Sequence, residues 1–269
     1  MSDNTDPSKS PVVLCFSMHD ATGATGVAAD IEAISSQACH ACTVITSLSV
    51  QDSQMVSSLI PVDADIIAQS ARAVLEDMPV DAIKIGLVGS DEAVQVIHEI
   101  LQDYPDIPVV YEPMLVSSNG MELAEGDMIE AARELLVPLT RILTLNTIEA
   151  GMLLPEADNP AAMMNGLMDM GCDHLLLSGR REANETVINT LYHNYRIIEQ
   201  FEWPHLTREF YGAGCTLSSS LAALLAQGLD SLSACREAQS YCWQSLKHAS
   251  RLGMGQYQPA RFYWMHEDE

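Results

Sequence analysis

The order of the apolar runs constrains this chain more than any single motif does. PVVLCFS (11–17), TVITSLSV (43–50), VDAIKIGLV (80–88), IPVVYEP (107–113), RILTLN (141–146) and CDHLLLSG (172–179) are short, aliphatic and rich in β-branched residues. Most are separated by stretches of helical character. Gly23 and Gly26 open one that runs to about Ala38, and another spans about 63–77. SDEAVQVIHEIL (90–101) begins with a serine N-cap and an acidic first turn, and EGDMIEAARELL (125–136) and 160–170 complete the series. Strands divided by helices of ten or more residues call for crossover connections. The expected fold is therefore α/β, a three-layer α/β/α sandwich around a mainly parallel sheet.

Residues 180–201 break the pattern: polar and β-prone residues alternate there, which predicts a hairpin or sheet edge. Beyond it, Leu217, Leu221, Leu224 and Leu225, then Ala234, Ala238, Cys242 and Ser245, recur at the spacing of helices packed on a core. No repeat or Pro/Ser-rich linker divides the chain. The expectation is a disordered tail at residues 1–10 and one domain over 11–269.

Charge narrows the possible partners. With 13 Lys+Arg against 37 Asp+Glu the formal net charge is -24, so the far field repels nucleic acid and anionic membranes. Any phosphate site must then rely on local devices such as helix N-termini, a metal ion or single cations. The only lysines are Lys9, Lys84 and Lys247, and Lys84 is expected to lay its stem on a strand end with its amine reaching water. The 7 cysteines, an odd number spread along the chain, indicate a reducing compartment. Cys39 and Cys42 have CxxC spacing but no second pair, and read as core residues. The start MSDNTDPSKS is not a signal peptide and no apolar run approaches the roughly 18 residues of a membrane helix, so a cytoplasmic location is expected.

In parallel sheets ligands collect beyond the carboxyl ends of the strands. At one such place YGAGCTLSSSLAALLAQG (211–228) puts Gly212, Gly214 and Cys215 in front of an amphipathic helix. Glycine lets backbone N–H groups approach an anion, and the helix adds its positive end, which suits charge on a phosphoryl group in transfer. The helix terminus is expected to lower the thiol pKa of Cys215, making it a candidate base for a substrate hydroxyl. Glu112, Asn146 and Glu149 end other strands. They offer oxygen ligands of the kind magnesium takes, although Asn146 and Glu149 also fit an ordinary helix start.

Read in order, HDATGATGVAAD (19–30), VITSLSVQD (44–52), VDAIKIGLV, VVYEPMLV (109–116), TLNTIEA (144–150) and GAGCTLSSSLAALLA (212–226) resemble the hydroxymethylpyrimidine and phosphomethylpyrimidine kinases of thiamin biosynthesis, within the ribokinase-like superfamily. The resemblance runs over nearly the whole chain and is strongest at GAGCTLS. It implies an ATP- and magnesium-dependent homodimeric kinase that phosphorylates a hydroxymethylpyrimidine or its monophosphate. It implies Cys215, Gly212 and Gly214 at the transfer centre, and Asp30, Gln51, Gly23, Leu87 and Met114 around the pyrimidine. Asn146, Glu149, Ser178 and Ala213 would meet the nucleotide, with Glu112 and Glu149 at the metal.

Four departures stand against this pattern, one of them Asp52 after Gln51 where the family commonly has Asn. The glycine-rich start carries Ala24 and Thr25, which reduces backbone freedom; Phe210-Tyr211 replaces Thr-His; and Ser178 stands where a phosphate-contacting lysine usually precedes a glycine. Arg180 and Arg181 read as residues of a solvated loop, with replacement charge for the phosphates as the alternative, though a guanidinium is no like-for-like substitute. Two other readings follow: a kinase for pyridoxal or another ring alcohol, and a degenerate kinase fold that only binds a pyrimidine or nucleotide.

Overall fold

The computed structural model describes residues 10–117, 120–182 and 185–266, so the expected tail lies, Ser10 apart, outside the described residues. Nine strands form one sheet in the order β3-β2-β1-β4-β5-β6-β7-β8-β9. They are β1 (Val12–Asp20), β2 (His40–Gln51), β3 (Val56–Pro61), β4 (Ala82–Ile85), β5 (Val109–Tyr111), β6 (Ile142–Asn146), β7 (His174–Arg181), β8 (Thr186–His193) and β9 (Arg196–Pro204). From β2 through β7 neighbouring strands run parallel. β3 at one edge and β8 and β9 at the other are antiparallel, and the last two are the hairpin expected at 180–201. The sequence did not signal β3, whose Ser57 and Ser58 interrupt the apolar run.

The strand period of two sorts side chains between the layers. Leu14 and Phe16 of β1 and Ile83 and Ile85 of β4 face a core shared with α2 (Ala64–Asp77), α3 (Asp91–Asp103), α4 (Gly126–Ala131), α5 (Thr147–Leu153) and α6 (Pro160–Asp169). Val13, Cys15 and Ala82 face the opposite core, with α1 (Gly26–Ser36), α7 (Ala213–Ala226) and α8 (Ser231–Lys247). This is the three-layer arrangement expected. Lys84 shares the face of Ala82, so its side chain points under α7 instead of reaching water; it is 0% exposed.

Caps fix several helix starts. Ser90 accepts from the Ala93 amide, Asp63 from that of Asp65, and Asn146 closes a capping box with Glu149. The helix expected over 125–136 loosens after Ala131 into one π turn, Ala132–Leu136, and a 3-10 turn, Val137–Leu139, where Pro138 ends it. No helix among the described residues is long and apolar enough to cross a membrane.

Candidate active site

The carboxyl ends of β5, β6 and β7 meet the head of α7 around a cavity of about 320 Å³. Its wall includes Glu112, Met114, Asn146, Glu149, Ser178 and the whole turn Gly212-Ala213-Gly214-Cys215. Gly212 has φ +93, and a Cβ there would lie 1.9 Å from the Ala24 carbonyl oxygen. A Cβ on Gly214 would lie 1.9 Å from Glu112 Oε1. Both glycines are therefore required by close approach, of backbone in one case and of a carboxylate in the other.

Behind the cavity lies a buried ionic network. Lys84 Nζ donates to Asp30 Oδ1 at 3.0 Å and to Ser17 Oγ at 3.1 Å, and lies 3.9 Å from Glu112 Oε2. α7 supplies two further donors, Ser219 to Asp30 Oδ1 at 2.6 Å and Ser218 to Glu112 Oε2 at 2.8 Å, and Ser17 of β1 donates to Asp30 Oδ2. Gly86 makes room, since a Cβ there would come within 2.7 Å of Nζ. Burial alone would pull the Lys84 pKa down, but the Asp30 and Glu112 carboxylates reverse this and hold the ammonium charged. The amine expected in water is sealed because two carboxylates compensate it inside.

A second cavity, about 310 Å³, adjoins the first across Phe210 and Leu217, which line both. It lies between the β7–β9 end of the sheet and α8. Trp203 and Trp243, stacked with ring centroids 6.1 Å apart and planes 27° from parallel, give it an aromatic wall. Asn189 and Gln239 join there at 2.8 Å, and Arg181 and Arg208 stand on its rim.

The phosphomethylpyrimidine kinase family model matches residues 20–260. The chain belongs to this kinase family. It is 28% identical over 250 residues to a hydroxymethylpyrimidine/phosphomethylpyrimidine kinase of Rhizobium meliloti, covering 91% of this chain and 94% of that one. It is 29% identical over 253 residues to the chloroplastic thiamine biosynthetic bifunctional enzyme of Arabidopsis thaliana, covering 92% of this chain but 48% of that one, so it spans about half of the plant protein. Among solved structures, a phosphomethylpyrimidine kinase of Clostridium difficile superposes with TM-score 0.75 at 26% identity over 88% of this chain and 100% of that one. The ADP complex of Bacillus subtilis pyridoxal kinase superposes with TM-score 0.87 at 22% identity, over 96% and 100%, which shows the shared ribokinase-like fold.

Within this kinase the residues expected around the pyrimidine do not share one wall. Met114 lines the cavity at φ +47, a left-handed conformation uncommon outside glycine. Leu87 lies behind it, packed with Met18, Met114 and Cys215. Asp30 is 0% exposed and its oxygens are taken by Lys84, Ser17 and Ser219, so its expected ligand contact is replaced by a role in the network beneath. Gln51 does not line the cavity either. Its amide atoms are buried and find no partner in good geometry, although the hydroxyl of Tyr211, which does line the cavity, is close enough to sense them.

The altered glycine turn has its own solution. Asp20 accepts from the backbone and hydroxyl of Thr22, at 2.7 and 2.9 Å, and of Thr25, at 2.9 and 2.8 Å. Side-chain bonds thus fix what backbone freedom would otherwise allow, while Gly23 and Gly26 keep the positive φ angles, +75 and +62. Arg261, 237 residues further on, donates to the carbonyls of Gly23 and Ala24, to Thr216 on α7 and to Glu32. Nothing in the local sequence signals this clamp.

Electrostatics overturn one expectation. Cys215 is 1% exposed, and burial first, then Glu112, pushes its thiol pKa well up despite Lys84. The helix terminus does not make it a thiolate, because desolvation of the anion outweighs a partial charge. Burial also raises Glu112, against Lys84 and Ser218, and lifts Glu149 to about 7, with Glu112 contributing. Two acids thus face one cavity without enough positive charge, and their oxygen donors fit a magnesium ion. Ser178 lines the same cavity and donates to the Leu145 carbonyl at 3.2 Å. Of the replacement cations, Arg180 is held by Glu182 at 3.1 Å, whereas Arg181 borders the second cavity.

Proposed function

We propose that this protein transfers the γ-phosphoryl group of ATP to the hydroxymethyl oxygen of 4-amino-5-hydroxymethyl-2-methylpyrimidine, to the phosphate of its monophosphate, or to both. The observation that supports this is the adjacency of the two cavities: an aromatic slot of about 310 Å³ shares Phe210 and Leu217 with the cavity that contains the turn at 212–215. The adenine lies on the tryptophan wall and the phosphates run toward α7. Arg181 supplies charge that Ser178 lacks. Magnesium, held by Glu112 and Glu149, would neutralise phosphate charge.

In the first reaction the substrate oxygen attacks phosphorus from the Met114 side. The γ-phosphorus to bridging-oxygen bond breaks, and ADP departs with that electron pair. Amides of 212–215 stabilise the transferred charge. In a loose transition state the hydroxyl proton leaves late and passes to the transferred phosphoryl group, so Cys215 serves as a neutral thiol at the floor of the turn. The unsatisfied amide of Gln51 is the group suited to an aminopyrimidine edge, reached when Tyr211 yields.

A second copy of the chain covers the β2–β3 edge. Ile45, Leu48, Val50 and Ile60 are 37–54% exposed on that hairpin, and Leu48 and Ile60 are paired across it, an apolar surface suited to a homodimer.

The test is ADP release from ATP by magnesium-replete protein, with the hydroxymethylpyrimidine and pyridoxal supplied separately. Pyrimidine-dependent release is expected. Turnover of pyridoxal alone would replace the acceptor, and binding of the pyrimidine without turnover would favour a binder.

A further inference from the structure

Arg261 lies beyond α8, buried, with its backbone tied to that helix: the Ala260 N–H donates to the Ser245 carbonyl and the Tyr241 hydroxyl to the Arg261 carbonyl, both at 2.9 Å. Its guanidinium thereby has a fixed place behind the head of α7. A Cβ on Gly212 would lie 2.9 Å from Nη2, yet Arg261 does not line the cavity in front of that turn.

Each donor has a task there. Nε donates to Thr216 Oγ1 at 3.0 Å, and that hydroxyl donates in turn to the Gly212 carbonyl at 2.8 Å. In a trans peptide the carbonyl and the next N–H point opposite ways, so holding the Gly212 oxygen back along α7 aims the Ala213 N–H out of the helix end. Nη1 and Nη2 take the carbonyls of Gly23 and Ala24. The Ala24 oxygen stands where a Gly212 Cβ would, and its negative end, left unpaired, would oppose an anion at the turn.

We propose that Arg261 is a positioning residue of the kinase: it orients the Ala213 amide and sets an incompletely compensated positive charge behind the turn that receives the phosphoryl group. The proposal rests on the phosphoryl-transfer reading above. The charge count separates Arg261 from Lys84, which meets two carboxylates, Asp30 and Glu112, inside the core. Arg261 meets one, Glu32 at 3.0 Å, whose side chain is 45% exposed and therefore screened by water; its other acceptors are neutral. Among the described residues lining the cavity there is neither lysine nor arginine, so positive charge acts on the turn from behind.

The test pairs two variants at one ion pair. Arg261→Gln removes the cation, whereas Glu32→Gln removes its counter-charge and keeps an oxygen for Nη1. Both are read by calorimetric binding of the magnesium complex of inorganic tripolyphosphate, by urea midpoint and by pyrimidine-dependent turnover. Arg261→Gln is expected to weaken anion binding and lower kcat by about tenfold or more, with KM for the uncharged pyrimidine little moved. Glu32→Gln should tighten anion binding by about two- to fivefold, although it too breaks the ion pair. Arg261→Lys, which keeps the charge, should recover part of the affinity. A contact that only braces the fold would move both glutamine variants the same way. Unchanged anion affinity and kcat in folded Arg261→Gln, or weakened binding in Glu32→Gln, would overturn the proposal while leaving wild-type turnover, and with it the kinase reading, in place. Should Arg261→Gln not fold, Glu32→Gln and Arg261→Lys decide. Absence of wild-type turnover would overturn the kinase reading and the proposal together.

Discussion

Gly212 touches Ala24: the carbonyl oxygen of Ala24 occupies the place of a Cβ on Gly212, and Arg261 donates to the same oxygen. The first turn of the chain and the head of α7 are thereby fixed to each other. Gly212→Ala is expected to destabilise by more than the roughly 1–2 kcal/mol of left-handed backbone strain, because backbone must also move. Chemical denaturation measures it, and an unchanged midpoint would contradict the contact.

Arg261→Ala removes the donors from three chain segments. An expected loss of about 1.5–3 kcal/mol per charged hydrogen bond is partly offset by water reaching the half-exposed Glu32 side. Arg261→Lys should recover only part, since one ammonium cannot span Thr216 and both turn carbonyls. Denaturant midpoints of both variants decide it.

Lys84→Met should cost about 3–5 kcal/mol, because it strands the carboxylate of Asp30 in the interior. The double variant Asp30→Asn/Lys84→Met, which removes both charges of the pair, should regain part of that loss, with Glu112 still lacking its cation. Equal destabilisation of the single and double variants in urea would show that the pair does not act as a unit.

Glu149 is an acid whose folded pKa is raised, from 4.5 to about 7, by burial. The folded state then binds more protons than the unfolded one between those values, so stability falls as pH rises through that window. Glu149→Gln, which keeps a side-chain oxygen for the cap, should match the wild type near pH 5 and exceed it near pH 8, by roughly 2–4 °C per kcal/mol regained. The same change should weaken magnesium-dependent turnover. A pH-independent difference in thermal midpoint would refute the assignment.

Cys215, as a buried neutral thiol, should react with iodoacetamide slowly at pH 7, its rate climbing only in alkaline solution. Mass mapping of the modified cysteine gives the profile. An inflection near pH 7 would restore a thiolate to the free protein.

The sheet was legible because its information is local. β-rich runs, glycine turns and the Ser90 cap each speak for their own few residues, and the GAGC turn marks the head of α7 through residues adjacent along the chain. What stayed hidden depends on partners far apart in sequence. Lys84 reads as a strand-end cation until Asp30 and Glu112 are seen beside it, and Arg261 reaches Ala24 across 237 residues. The second cavity draws Trp203 from β9 and Trp243 from α8, whose packing no periodicity encodes. The Cys215 pKa was misread for a related reason: the helix dipole is visible in sequence, whereas desolvation is a property of the closed core.

The most direct measurement is pyrimidine-dependent ADP release by the wild type and Gly214→Ala, both checked for native circular dichroism. A Cβ at residue 214 displaces the Glu112 carboxylate without straining the helical backbone. Wild-type turnover with a loss of about 10²–10³ in kcat for the variant is the expected result. Full turnover by a folded Gly214→Ala protein would contradict phosphoryl transfer at the head of α7.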